Sequence, residues 1–213
     1  MADPLLHRLE APRSPTGLVL MLHGGQESSL EPVDVRSTSW HRSRWMQRQI
    51  AGRVRAQGAA LWLLRYRRRG WNAGVGPVPS PISDARWALD EVRRELGSLP
   101  VVLLGHSMGG RTAVAVADDP LVTGVVGLAP WLPAHEPVRP LDGKHFAVAH
   151  GRGDHITSFQ HTASFVRRAA RVAASSELAD MGDVGHYMLR RVAAWNHFAV
   201  TRSLDFLREH AQH

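Results

Sequence analysis

Apolar residues gather in short unbroken runs rather than in alternation with polar ones. GLVLML at 17–22, ALWLLRY at 60–66, VVLLG at 101–105, VTGVVGLA at 122–129 and FAVAHG at 146–151 each have the length of a strand. Continuous runs of that size suit a parallel sheet covered on both faces, because neither side of such a strand meets water. Between the runs, apolar positions recur at helical spacing over 43–58, 82–96, 110–119 and 158–174. SELADM at 176–181 adds a short last strand, followed by a final helix from about 189 to 210. This alternation predicts βαβ crossovers, which are right-handed almost without exception. The expected fold class is therefore α/β, a doubly wound and mostly parallel sheet. Ser83 reads as a helix N-cap, and Gly58 and Gly97 stand where helices should stop. The first 16 residues leave room for one edge strand and a turn, so the sheet is abbreviated at its N-terminal side.

Composition narrows the class. The 213 residues, 44% hydrophobic and 21% charged, match an ordinary globular mixture, and one domain spanning 1–213 is the expectation. No stretch approaches the roughly 18 apolar residues of a membrane span. The opening MADPLLHRLEAPRSP has neither a basic region nor a continuous apolar one of the kind that directs export. A cytoplasmic location without membrane attachment is thus the default expectation. The absence of cysteine excludes disulfides, thiolate metal sites and a cysteine nucleophile. No H-E-x-x-H or comparable ligand spacing occurs, so no metal is expected.

The net charge of +7 raises the question of nucleic acid. The arginines are scattered through RVRAQ, DEVRREL and FVRRAARVA, stretches that read as solvated helix faces, and only RYRRRG at 65–70 forms a cluster. Without a basic stripe interleaved with aromatics, nucleic acid is not an expected partner. Arg65 to Arg69 read instead as a solvated rim.

The chemistry should lie just beyond the carboxyl ends of the strands. Directly after VVLLG stands Gly105-His106-Ser107-Met108-Gly109, a G-x-S-x-G pattern whose serine occupies a sharp strand-to-helix turn. A serine hydroxyl needs a general base, and the base needs a group that holds its tautomer. On such turns the partners follow in the order serine, acid, histidine. Asp154 in HGRGDHITS and His186 in GDVGHYML occupy later strand-end loops in that order. Other acids are worse placed: Asp118 and Asp119 end a helix, Asp142 precedes its strand, and Asp180 and Asp183 adjoin His186 in sequence. Among the 13 histidines, His155 and His161 lie too near Asp154 or within a helix, and His197 and His210 belong to the last helix. An oxyanion hole is the third requirement. The Met108 N–H supplies one donor, and MLHGGQESS after the first long run supplies the other, with Gly25 the first choice and Gln26 the next. Trp40 in the segment 26–42, Trp71 and Trp131 are candidates for an aromatic substrate wall.

With HGG at 23–25, GHSMGG at 105–110, Asp154 and His186 in place, residues 17–210 resemble the α/β-hydrolase superfamily. The likeness is to its small, lidless members of the esterase and dienelactone-hydrolase type. It implies a serine hydrolase that cleaves a small ester-like substrate through an acyl-enzyme, with a Ser107–His186–Asp154 triad and no cofactor. Dienelactone hydrolases proper use a cysteine, so their substrate does not carry over. Only residues 132–145 separate GLAPW from the next strand, too few for a helical lid. The same fold hosts acyl transfer, perhydrolysis and peptide or thioester cleavage, and it hosts non-catalytic binding proteins, so fold does not choose among them. Oligomeric state is not legible in the sequence.

Overall fold

Three apolar runs become strands with every residue buried: β2 (Gly17–Leu22), β4 (Val101–His106) and β5 (Val122–Leu128). They form the middle of a sheet in a computed structural model that describes residues 3–11 and 13–210. β1 (Leu5–Leu9), β3 (Ala59–Arg65), β6 (His145–His150) and β7 (Ser175–Asp180) complete it. The strand order is β1-β3-β2-β4-β5-β6-β7. Only β1 runs antiparallel, as an edge strand pairing Leu5 with Arg65 through Leu9 with Leu61.

The helices are α1 (Thr38–Ala56), α2 (Ser80–Leu96), α3 (Met108–Ala115), α4 (Phe159–Ala169) and α5 (Val192–His210). From β2 the chain first crosses to β3 and then returns across the sheet to β4. Right-handed crossovers therefore put α1 on one face and α2, α3 and α4 on the other. Contacts of α1 with α5, and of α2 with α3, complete the two layers. The reversal leaves a crevice at the carboxyl ends of β2 and β4, where open sheets of this kind place their ligands.

The helix limits differ from the sequence expectation in instructive ways. α1 begins at Thr38, not at 43, so Trp40 is a helical residue rather than part of a loop. α2 begins after Pro79 with a proline in its first turn, where fixed φ and the missing N–H cost nothing; Ser83 lies inside the helix and does not cap it. α3 starts immediately after Ser107 and ends at Ala115, before the turn in which Asp119 Oδ1 accepts the Leu121 N–H at 2.9 Å. Gly58 and Gly97 do end α1 and α2, with φ of 79° and 75°. Among the described residues, no helix is long and apolar enough to cross a membrane.

Candidate active site

Ser107 sits between β4 and α3 at φ 54° and ψ −120°, a conformation that side chains rarely adopt. Its N–H donates to Leu128 O at 3.1 Å, and its own carbonyl accepts from Gly110 at 3.0 Å and from Trp131 at 3.0 Å. These bonds hold the turn against its strain. Two glycines make the approach of helix to strand possible. A Cβ on Gly105 would stand 2.3 Å from Gly109 O, and one on Gly109 would stand 2.1 Å from Leu22 O.

Ser107 Oγ lies 3.0 Å from Nε2 of His186, and Nδ1 of His186 lies 2.8 Å from Oδ2 of Asp154. The Asp154 side chain is fully buried. Burial alone would raise its pKa. The hydrogen bonds from His150, His186 and both the N–H and the hydroxyl of Thr157 outweigh that, and they hold the carboxyl well below the usual carboxylate range. The Ile156 and Thr157 N–H groups donate to Oδ1 at 2.8 and 2.9 Å, and the Thr157 hydroxyl donates to Oδ2 at 2.8 Å. An ionised carboxylate only accepts, so the proton of His186 is on Nδ1 and the lone pair of Nε2 faces the serine hydroxyl. The three residues come from the ends of β4, β6 and β7, and the order along the chain is serine, acid, histidine.

Two further histidines support this array and escaped the sequence reading. His150, with no exposed surface, points Nε2 at Asp154 Oδ2 from 3.1 Å and Nδ1 at Thr162 Oγ1 from 2.9 Å. The polar last residue of the otherwise apolar run FAVAH was the signal available. His106 donates from Nε2 to the backbone carbonyl of His186 at 3.1 Å, and its ring lies 4.9 Å from the His186 ring. Burial, reinforced by neighbouring His186, pushes the His106 pKa down to about 3, so the ring is neutral.

The HGG turn lies beside the serine. A Cβ on Gly24 would stand 3.3 Å from Ser107 Cβ, and one on Gly25 would collide with the Met108 side chain and with Arg69 O at 2.4 Å. The N–H groups of Gly25 and Met108 have no acceptor among the described residues. Gln26 differs: its N–H donates to Arg69 O at 2.8 Å, which removes the second-choice donor expected from sequence. His23 fixes the turn from behind. It is fully buried, its Nδ1 lies 2.6 Å from Gly24 O, and the Tyr66 N–H donates to its Nε2 at 3.2 Å. Burial, partly opposed by the bond to Gly24 O, brings its pKa down to about 4.

A cavity of about 90 Å³ covers the serine and is lined by Gly24, Gly25, Thr38, Arg42, Ile156 and Tyr187, together with His106 and His186. None of the three tryptophans expected as a substrate wall lines it. Trp40, on α1, packs in the core with its ring 5.6 Å from that of His23. Trp71 and Trp131 enclose the guanidinium of Arg111, which lies 4.2 and 4.5 Å from their ring centroids. Arg111 in turn pairs with Glu136 at 2.7 Å. Within the basic cluster, Arg67 pairs with Asp84 of α2, and Arg69 with Glu31 and Asp34, so these charges tie the loop after β3 to a helix and to the loop after β2.

Comparison with known proteins agrees with this architecture. The sequence matches the alpha/beta hydrolase family over residues 19–209. None of the curated proteins matches it. Among solved structures, a thermophilic esterase from Thermogutta terrifontis with bound propionate superposes with a TM-score of 0.71 at 17% identity, over 98% of this chain and 90% of that one. A serine hydrolase homologue from Coxiella burnetii gives 0.65 at 16% identity, over 93% and 91%. A lidless serine hydrolase from Xanthomonas campestris gives 0.62 at 16%, over 96% and 95%.

Proposed function

The chain belongs to the α/β hydrolase family, and from that premise we propose that it is a serine hydrolase cleaving carboxylic esters or closely related acyl bonds through an acyl-enzyme. One observation carries the reading: the continuous line from Ser107 Oγ through His186 to Asp154, with 3.0 and 2.8 Å contacts and a carboxyl that stays ionised. In this scheme Ser107 attacks the ester carbonyl while His186 Nε2 takes its proton. Asp154 holds the imidazole in the required tautomer and stabilises the imidazolium that forms. The carbonyl oxygen, now negative, accepts from the unpaired N–H groups of Gly25 and Met108, the latter at the positive end of α3. His186 then gives the proton to the departing alcohol. Water enters on the same side and loses a proton to His186 as it attacks the acyl carbonyl; the bond to Ser107 Oγ then breaks, His186 returns the proton to that oxygen, and the acid is released.

All the groups that this scheme uses belong to the chain, and its substrate is a small molecule. The presence of an esterase and a lidless serine hydrolase among the structural neighbours supports that choice of reaction class. The test is labelling by a fluorophosphonate together with hydrolysis of short p-nitrophenyl esters. Both should occur in the wild type, vanish in Ser107→Ala and fall by several orders of magnitude in His186→Ala. A folded wild-type protein that neither labels nor hydrolyses any such ester would falsify the proposal.

A further inference from the structure

The small cavity over Ser107 adjoins a larger one. Thr38, Arg42 and Tyr187 line both, and the second has a volume of about 320 Å³. It lies between α1 and the segment that follows His186, walled by Met46, Met188, Leu189, Val192 and Trp195, with Trp45 among its lining residues. Met46 and Trp195 are buried, while Trp45 and Leu189 are 45% and 72% exposed, so one side of the cavity opens to solvent. No acidic residue lines it. Arg42 stands where the two spaces meet. Its guanidinium lies 4.8 Å from the Tyr187 ring centroid and donates to the Tyr187 carbonyl, which occupies the charge.

The sizes divide a substrate between the two. The cavity over Ser107 amounts to about three water volumes, enough for an ester group and little more, whereas the second amounts to about ten. The second therefore reaches the lower range of small-ligand sites, and its wall is of the apolar kind such sites have. Two flexible thioethers suit a chain of variable length. We propose that this cavity binds the hydrocarbon part of the ester, a chain or ring of about six to ten carbons at roughly one water volume per methylene. The hydrocarbon belongs to either the acyl or the alcohol side. This rests on the ester-hydrolase reading of Ser107, and it narrows the substrate class to medium-chain esters.

Two substrate series separate the sides: p-nitrophenyl esters of acids from acetate to laurate, and acetate esters of alcohols from methanol to decanol. In one series kcat/KM should rise about fourfold per methylene, the worth of burying each in an apolar site, and level off near eight carbons. Val192→Trp, which fills the cavity, should flatten that rise and leave acetate hydrolysis and fluorophosphonate labelling within about twofold of wild type. Leu189→Glu, at an exposed position that carries little folding risk, should do the same more weakly by charging the rim. Two flat series in the wild type, or an unchanged slope in both variants, would overturn the proposal. Occupancy can also be read without turnover. Adding 1-octanol to Ser107→Ala should produce a saturable change in fluorescence from Trp45 and Trp195, absent when Val192→Trp is added. If that change occurs while the wild type cleaves no ester, the cavity stands and the reading of Ser107 falls; if it does not occur, the cavity assignment falls.

Discussion

His150 Nε2 lies 3.1 Å from Asp154 Oδ2, the same oxygen that faces His186 Nδ1 at 2.8 Å. One carboxylate oxygen therefore accepts from two imidazoles and from the Thr157 hydroxyl, while the other accepts two backbone N–H groups. Because Asp154 only accepts, His150 carries its proton on Nε2, and its Nδ1 accepts from the Thr162 hydroxyl. The acid is thus held from α4 and β6 as well as by its own loop. Its ionisation and its aim are settled before any substrate arrives.

Replacing His150 with phenylalanine should keep the core filled and remove that donor. A hydrogen bond to a charged group is worth about 1.5–3 kcal/mol, so kcat for a short ester should fall about tenfold or somewhat more, with KM nearly unchanged. The Asp154 carboxyl would move up toward the ordinary range. Its depressed pKa contributes stability that is present above about pH 4 and lost on acidification, so the variant should also lose less stability than wild type as pH falls below 4. Steady-state kinetics and urea unfolding at pH 3–7 check both. A variant with unchanged kcat would show that His150 only fills space.

The strain at Ser107 makes a prediction of opposite sign for stability. At φ 54° and ψ −120° a glycine is at ease and a serine is not, a difference of about 1–3 kcal/mol. Ser107→Gly should abolish hydrolysis and yet raise the unfolding free energy by about 1 kcal/mol, after the flexibility that glycine adds to the unfolded chain is set against the relief. A drop in the thermal midpoint would mean that the turn is not strained.

The centre of the sheet was legible because β2, β4 and β5 are buried on both faces and so carry unbroken apolar runs. The serine turn was legible because only glycine fits at 105 and 109, where helix and strand nearly touch. What the sequence hid depends on orientation. Trp40 lies near the site along the chain, but α1 starts at Thr38, and that phase turns the indole into the core. Trp71 and Trp131 meet edge to face, their centroids 6.1 Å apart, and both hold the Arg111 guanidinium, a cluster that joins three separate segments and has no sequence period. Gln26 lost its expected role to a single bond, from its N–H to Arg69 O, made when the loop after β2 zips against the loop after β3. The apolar cavity beside Tyr187 is lined from α1 and from residues 187–196, segments well over a hundred positions apart in the chain, which no local pattern records.

Arg111 and Glu136 should be costly to separate. The pair is largely buried, 2.7 Å apart, with the guanidinium between two indoles. Burial raises the Glu136 pKa, and the nearby arginine opposes that rise. Arg111→Met leaves a buried carboxyl without its partner and should destabilise the fold by about 3 kcal/mol at neutral pH. Adding Glu136→Gln removes the stranded charge and should restore a large part of that loss. A double-mutant cycle by urea unfolding measures the difference, and strictly additive effects would show that the pair does not couple.

His23 gives the fold a dependence on pH that can be isolated from every other histidine. In the folded chain its Nδ1–H donates to Gly24 O and its Nε2 accepts the Tyr66 N–H, so the neutral ring satisfies both ends of the buried gap. Protonation would put a second hydrogen against the Tyr66 N–H inside the core. That is why burial, despite the favourable bond to Gly24 O, lowers its pKa to about 4 from the ordinary 6.5. The unfolded chain takes up the proton first. The contribution is therefore full above pH 6.5 and lost as pH falls toward 4, by about 3 kcal/mol at 1.36 kcal/mol per unit. His23→Asn cannot titrate and keeps a donor for Gly24 O, but it strands the Tyr66 N–H. It should be less stable than wild type at pH 7 by about 1–3 kcal/mol. It should also escape the acid loss, so that the two unfolding free energies converge as pH falls from 7 to 4. Other groups titrate in both proteins and cancel in the difference, including His106, whose pKa near 3 adds its own acid loss. A gap between variant and wild type that stays constant from pH 7 to 4 would show that His23 is not the neutral hinge holding Gly24 and Gly25 beside Ser107.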